Sequence, residues 1–250
     1  MSVWTREIYL HLVVGHSFNA KGWFQDFLAA LEAEAKFTPQ TVEISGATQT
    51  DYSADMATRR ARTASRNGEE LIFQRSRKYK HLVAVQFLDL LGIHVICEFP
   101  KDSKRDADDC TAIGALGDRL AVAVGADFGT MQPITREAEH DAHDRVGMQY
   151  PSTAFKSGPL GLAARNWFGP RVRALAGDGA LGSAGSAAIL GNDILRIDLA
   201  EAPWTLDLEG LKGARDQIEP GVRATGILAT PEGVNGAQPG PAWTSPDLAS

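Results

Sequence analysis

The chain has 250 residues, 44% of them hydrophobic and 22% charged, and a net charge of −6, proportions ordinary for a globular protein. Its longest apolar runs, "LAVAVGA" and "LHLVVG", fall far short of the roughly 20 residues that a membrane helix needs, and the N-terminal stretch has no small-residue cleavage site of a secretory leader. Two lone cysteines, Cys97 and Cys110, read as buried thiols of a protein in the reducing cytoplasm, not as a disulfide frame.

Taken in chain order, residues 6 to 14 form an apolar strand. An amphipathic helix is expected from 20 to 36, with Asn19 as N-cap and Trp23, Phe24, Phe27, Leu28 and Leu31 in one apolar stripe. Thr38-Pro39 ends it, and "QTVEIS" reads as a short strand. Residues 46 to 68 are polar and are expected to form a long exposed connection, with a small helical piece at 54 to 64. Three strands follow, "EELIFQRS", "KHLVAVQFLD" and "GIHVICEFP", close enough to pair as hairpins. The third is apolar nearly throughout, as a central strand would be. Asp102 or Ser103 is placed to cap a helix reaching residue 124, with Ile113, Leu116, Leu120 and Val124 on one side. Gly114 and Gly117 count against that helix.

The second half predicts a polar helix over 133 to 145 and a helix over 160 to 176, interrupted at Gly169-Pro170. "NDILRIDLAE" reads as a strand, "LDLEGLKGARDQIE" as a helix and "VRATGILA" as a closing strand. The fold class expected is α+β, a mainly antiparallel sheet flanked by amphipathic helices. It would be a single α+β domain over 1–230, or two α+β halves meeting near 125–135. A Pro/Gly-rich tail over 231–250 is expected to be disordered.

Several motifs invite a chemical reading. Gly15-His16-Ser17 resembles half of a nucleophile elbow, but Asn19 stands where the second glycine is required, and the last histidine is His143. Ser17 or Asn19 is expected to cap a turn instead. Gly177, Gly179 and Gly182 make a G-x-G-x-x-G pattern, with Asp198 and Glu201 as mimics of a ribose-binding acid. No apolar strand feeds the first glycine and no room remains for the helix, so a loop is expected. In "REAEHDAHDR", His140, His143 and Asp144 lie on neighbouring helical positions that suit a divalent metal. The alternating charge reads as a solvated, salt-bridged helix, so no metal and no cofactor is expected.

Charge is unevenly spread. Residues 59 to 80 hold eight basic residues against two acidic ones, a local +6, so the remainder carries −12. Phe73 and Tyr79 interleave with the arginines as in a nucleic-acid surface, but Phe73 sits in an alternating strand and is expected to point inward. An acidic body repels phosphate, so nucleic-acid binding is not expected. Trp167, Phe168 and Trp204 are expected in the core.

The succession of "CEFP", a helix, "VGADFG", a polar helix, "YPSTAFKSGPLGLAARNWFGPRV" and "LGNDILRIDLAEAPW" resembles uncharacterised bacterial families that include immunity proteins of polymorphic-toxin and type VI secretion systems. The resemblance spans residues 5 to 230. It implies a cytoplasmic protein that neutralises a protein toxin by binding it, without catalysis, and brings no catalytic residues with it. The arginine-rich stretch and the tail depart from it. A basic toxin would be steered toward an acidic body, and the contact surface is expected at Asp106, Asp108, Asp109, Glu137, Glu139 and Asp141. The alternative is a small hydrolase or metal-dependent enzyme using His140, His143 and Asp144.

Overall fold

The computed structural model describes residues 4–19, 21–76, 79–87, 91–98, 107–135, 156–177, 181, 186–232 and 236–243. Ten of its strands make one antiparallel sheet, in the order β3 (Thr50–Asp51), β2 (Thr41–Ile44), β4 (Glu70–Arg75), β5 (Lys80–Phe87), β6 (Leu91–Glu98), β1 (Trp4–Val14), β7 (Phe128–Thr135), β8 (Arg165–Phe168), β10 (Leu195–Asp198) and β9 (Ser186–Ile189). The sheet runs unbroken across 125–135, because β7 pairs with β1 on one side and β8 on the other. The helices are α1 (Trp23–Glu32), α2 (Ala54–Asn67), α3 (Ala107–Val124), α4 (Pro170–Ala176) and α5 (Leu208–Ala224). A separate hairpin joins β11 (Thr230–Glu232) to β12 (Gly236–Gln238). The protein is therefore α+β, as composition and periodicity predict.

Period-two alternation sorts the central strands into two faces. Along β1, Ile8, Leu10 and Leu12 point toward α1 and α3, while Tyr9, His11 and Val13 point the other way. All are buried, so both faces of the sheet centre are covered. Helix α1 lays Phe24, Phe27, Leu28 and Leu31 on the first face, each burial contributing about 1.5–3 kcal/mol. Edge-to-face rings carry this packing to the sheet: Phe18 lies 5.3 Å from Phe24 and 5.2 Å from Phe87, and Phe27 lies 5.7 Å from Phe73.

Gly114 and Gly117, which speak against a helix on propensity alone, are what let α3 approach the sheet. A Cβ on Gly117 would stand 2.7 Å from Trp167 Cη2 and 2.8 Å from Leu10 Cδ1, and one on Gly114 would stand 2.7 Å from Arg165 Nη1. On the sheet side, Gly129 in β7 leaves the same indole room, since a Cβ there would meet Leu12 Cδ2 at 2.4 Å and Trp167 Cε3 at 3.1 Å. Trp167 is thus seated between two glycines from different elements.

Several expectations are corrected. Residues 46 to 68 are no exposed connection: α2 is a full helix that buries Ala57, Ala61 and Ala64, capped by the Ser53 hydroxyl and closed by Gly68 at φ +66°. Residues 133–135 belong to strand β7, not to a polar helix. The pairing of β7 with β8 ends at Met131↔Arg165, so Pro133 lies beyond that ladder and needs no donor toward β8. "RNWF" is strand β8, and only residues after Gly169 are helical. "VRATGILA" is no strand, since α5 continues to Ala224 through Pro220. Helix α1 starts at Trp23 rather than residue 20, and Asn19 Oδ1 caps the preceding turn by accepting from the amides of Lys21 and Gly22 at 3.1 Å. Residues from 231 onward are not wholly tail, because β11 and β12 pair and Trp243 is buried, its Nε1 donating to Ile227 O at 2.7 Å. Residues 244–250 lie outside the described residues, as do Asp102 and Ser103.

Candidate functional site

Two of the six residues expected at a contact surface are described. Asp108, in the first turn of α3, is exposed. Asp109 is half-buried and accepts a hydrogen bond from the Tyr79 hydroxyl, which turns its carboxylate inward. Asp106, Glu137, Glu139 and Asp141 lie outside the described residues, and so do His140, His143 and Asp144. Among the described residues, no group of three or more His, Cys, Asp or Glu side chains gathers as a metal site would require.

The basic stretch is dispersed by the fold. Arg59, Arg62 and Arg66 lie exposed along α2. Arg60 instead donates to Thr48 O at 3.0 Å, Arg75 to Thr38 O at 2.7 Å, and Lys80 pairs with Glu98 at 3.4 Å. Phe73 and Tyr79 are buried, so neither offers an aromatic platform beside the described arginines. Ser17 sits in an exposed turn whose carbonyl accepts from Trp23 Nε1 at 3.2 Å. The adjacent His16 reaches the Val124 carbonyl at 2.8 Å, which ties the turn to the end of α3. In the glycine-rich segment, Gly177 follows α4 with φ +82°, and the next element among the described residues is strand β9, where a dinucleotide site requires a helix. Gly179 and Gly182 lie outside the described residues.

Asp198, considered above as a ribose acid, has a different role. It belongs to a buried ionic network between β8, β10 and α3. Arg165 donates from Nε to Asp198 Oδ1 at 2.7 Å and from Nη2 to Oδ2 at 3.0 Å, a bidentate pair. Its Nη1 reaches both Asp118 oxygens at 3.4 Å. Asp118 also accepts from Arg196 Nη1 at 2.7 Å and from Trp167 Nε1 at 2.8 Å. The Arg165 guanidinium lies over the Trp204 ring at 5.2 Å. Two arginines and two aspartates neutralise one another. Burial raises the Asp198 carboxyl above the ordinary range, against the downward pull of Arg165 and Arg196. Every strong donor of Arg165 is committed, so the cluster binds β8 to α3 and presents no open anion site.

The opposite face of the sheet holds a row of polar groups that reading the apolar strands did not single out. His11 and His94 are cross-strand neighbours stacked at 4.5 Å with rings 6° from parallel. The Tyr9 hydroxyl donates to His94 Nδ1, so the proton is on Nε2, which donates to Gln86 Oε1 at 3.2 Å. Gln86 Nε2 then donates to Glu70 Oε1 at 3.2 Å. Burial holds His94 down to about 4 and, with the neighbouring His94, holds His11 well below the ordinary histidine value. Burial raises the Tyr9 phenol, and the Glu70 charge raises it further. Neither ring nitrogen of His11 has a hydrogen-bond partner among the described residues, and the ring is wholly buried. Neutral and stacked, with His11 wholly buried and His94 half-buried, the pair packs as part of the sheet's interior. The sequence signal was a polar side chain at every second position, Tyr9 and His11, inside "YLHLVV".

A hollow of about 430 Å³ opens between α1, α3 and the β9–β10 turn, lined by Ala29, Ala33, Val122, Ala123 and Leu190. Asp118 and Arg119 are its charged residues: Asp118 is held in the network and Arg119 pairs with Glu34 at 2.8 Å, while its buried Nε has no hydrogen-bond partner among the described residues. The rest of the described lining is apolar, without the several convergent polar groups that orient a small ligand.

No family model matches the chain, and no curated protein is similar to it in sequence. Among solved structures, it is similar to the Pseudomonas aeruginosa T6SS protein PA0821, with a TM-score of 0.52 and 12% identity over 94% of this chain and 79% of that one. At that identity the likeness concerns the fold. Among the described residues, no helix is long and apolar enough to cross a membrane.

Proposed function

We propose that this protein is a non-catalytic binding protein, an immunity-type antagonist that neutralises a bacterial toxin by direct contact in the cytoplasm. The observation that carries the reading is the likeness of fold to a T6SS protein along 94% of the chain. The net charge of −6 supports a basic toxin as partner, since complementary potentials speed encounter and favour the right register. The buried ionic network supports it as well, because the strong donors of Arg165 and the carboxylates of Asp118 and Asp198 are spent on internal structure. The acidic stretches around Asp108 and at 137–144 are the proposed contact surface.

The test is rescue. Bacteria expressing the toxin encoded beside this gene should resume growth when the chain is co-produced, and the purified pair should form a complex whose association rate falls as salt rises. Charge reversal at Asp106 and Asp108 together should slow association. Absence of rescue and of a complex would overturn the proposal. Rescue that depends on added divalent metal, with no complex formed between the purified pair, would move it to a metal-dependent enzyme.

A further inference from the structure

Strand β9 ends the ten-stranded sheet. In the antiparallel ladder with β10, Leu190 N donates to Ile194 O at 2.8 Å, so residues 190, 188 and 186 carry the bonds to β10. By the same alternation, the N–H and C=O groups of Ala187 and Ile189 point out of the sheet.

Soluble proteins blunt such an edge with lysine, proline, a bulge or a covering element. Here the edge reads Ser186-Ala187-Ala188-Ile189, and Ile189 is 57% exposed, the one exposed large hydrophobic among the described residues. From Gly179 to Asn192 the chain carries no charged residue. The opposite edge is different: β3 is two residues long and ends in exposed Asp51.

We infer that β9 is a docking strand for a second copy of this chain, joined edge to edge about a two-fold axis through Ala188. That register sets the outward groups of Ala187 against those of Ile189 of the other copy, and the reverse, for four main-chain hydrogen bonds. It places each large Ile189 side chain beside a small Ala187, and Ala188 opposite Ala188, so the surface is complementary to itself as a two-fold contact requires. Two molecules of net charge −6 repel one another, and an uncharged edge is where they can meet. A basic toxin, in contrast, is drawn to carboxylates that this edge lacks. Because the β3 edge is short and acidic, pairing stops at two copies and no fibre grows.

The test is sedimentation velocity of the full chain from micromolar to submillimolar concentration, with hydrogen exchange at the edge amides. The expected result is a species of twice the 26.8 kDa chain mass, with the Ala187 and Ile189 amides protected as it forms. Ala187→Pro deletes one outward donor and spares the bonds to β10, a position where proline is tolerated on an edge. Ile189→Lys places a charge on the joint. Each should weaken dimerisation about tenfold or more, with the circular dichroism and thermal midpoint of the monomer unchanged. A wild type that stays monomeric throughout would overturn the inference, as would variants that dimerise like the wild type. Protection of these amides only when a foreign protein is added would assign the edge to another occupant and overturn it equally.

Discussion

Removing Asp198 tests whether the β8–β10–α3 network holds the fold together. Asp198→Ala takes away both acceptors of Arg165, at 2.7 and 3.0 Å, and the 3.4 Å contact of Arg196. Asp118 is left to serve two guanidinium groups, and it already accepts from Arg196 at 2.7 Å and Trp167 at 2.8 Å. Arg165 then keeps only its 3.4 Å contacts while remaining buried. Orphaning one member of a buried pair costs about 3–5 kcal/mol, against a total stability of roughly 5–15 kcal/mol. For a chain of this size the loss lowers Tm by roughly 6–20 °C. Calorimetry together with urea unfolding followed by circular dichroism reads it. The double variant Arg165→Met with Asp198→Leu leaves Asp118 and Arg196 matched and should recover most of the loss, since two apolar groups replace two charges. A loss below about 1 kcal/mol for Asp198→Ala, the range of a surface pair, would refute the reasoning. A double variant no more stable than the single one would show that the cost lies in packing and not in the orphaned charge.

Acid should destabilise the protein through its buried histidines. His81 and His94 are held at about 4 by burial, whereas an unfolded histidine titrates near 6.5, so the folded state favours the neutral ring. Stability from this source is complete above pH 6.5 and is lost as pH falls from 6.5 to about 4, by about 1.4 kcal/mol per pH unit for each ring. Urea midpoints measured across that window should fall, and less steeply in His11→Leu, which also removes two unpartnered nitrogens; an unaltered slope would sink the assignment. Glycine substitutions should separate packing from propensity. Gly117→Ala should destabilise despite alanine's helix preference, because overpacking against Trp167 and Leu10 costs about 1–3 kcal/mol and the propensity gain is about 1 kcal/mol. Gly213→Ala in α5, where a Cβ meets nothing within 4 Å, should gain about 0.5–1 kcal/mol. Chemical denaturation of both variants decides it, and equal shifts would contradict the seating of Trp167.

How much could be read beforehand depended on whether the signal was local. Strands β1, β4, β5, β6 and β10 and helices α1 and α5 announce themselves by period and apolar content. Strand β7 does not: "FGTMQPIT" contains glycine, proline, threonine and glutamine, and it is a central strand only because Trp167 needs the space over Gly129 and because β8 stops before Pro133. "RNWF" has a helical look beside "GLAA" and becomes β8 by pairing with β7 and β10. The Arg165–Asp118 and Arg165–Asp198 contacts span 47 and 33 positions, so no spacing rule exposes them. The His11–His94 stack joins strands far apart in the chain and is hidden within apolar runs.

What the sequence by itself determined is the class of molecule: an acidic α+β chain whose hairpins pair in order and whose apolar stripes face a sheet, because periodicity is written in neighbouring residues. Only the tertiary structure decided that the glycines of α3 are packing sites, that Asp198 anchors an arginine, that the arginine-rich stretch divides between a helix face and a sheet, and that β9 is left as an open edge. Those outcomes depend on which distant strand arrives alongside, and hydrogen bonds, close contacts and shared charges between such strands exist only once the chain has folded.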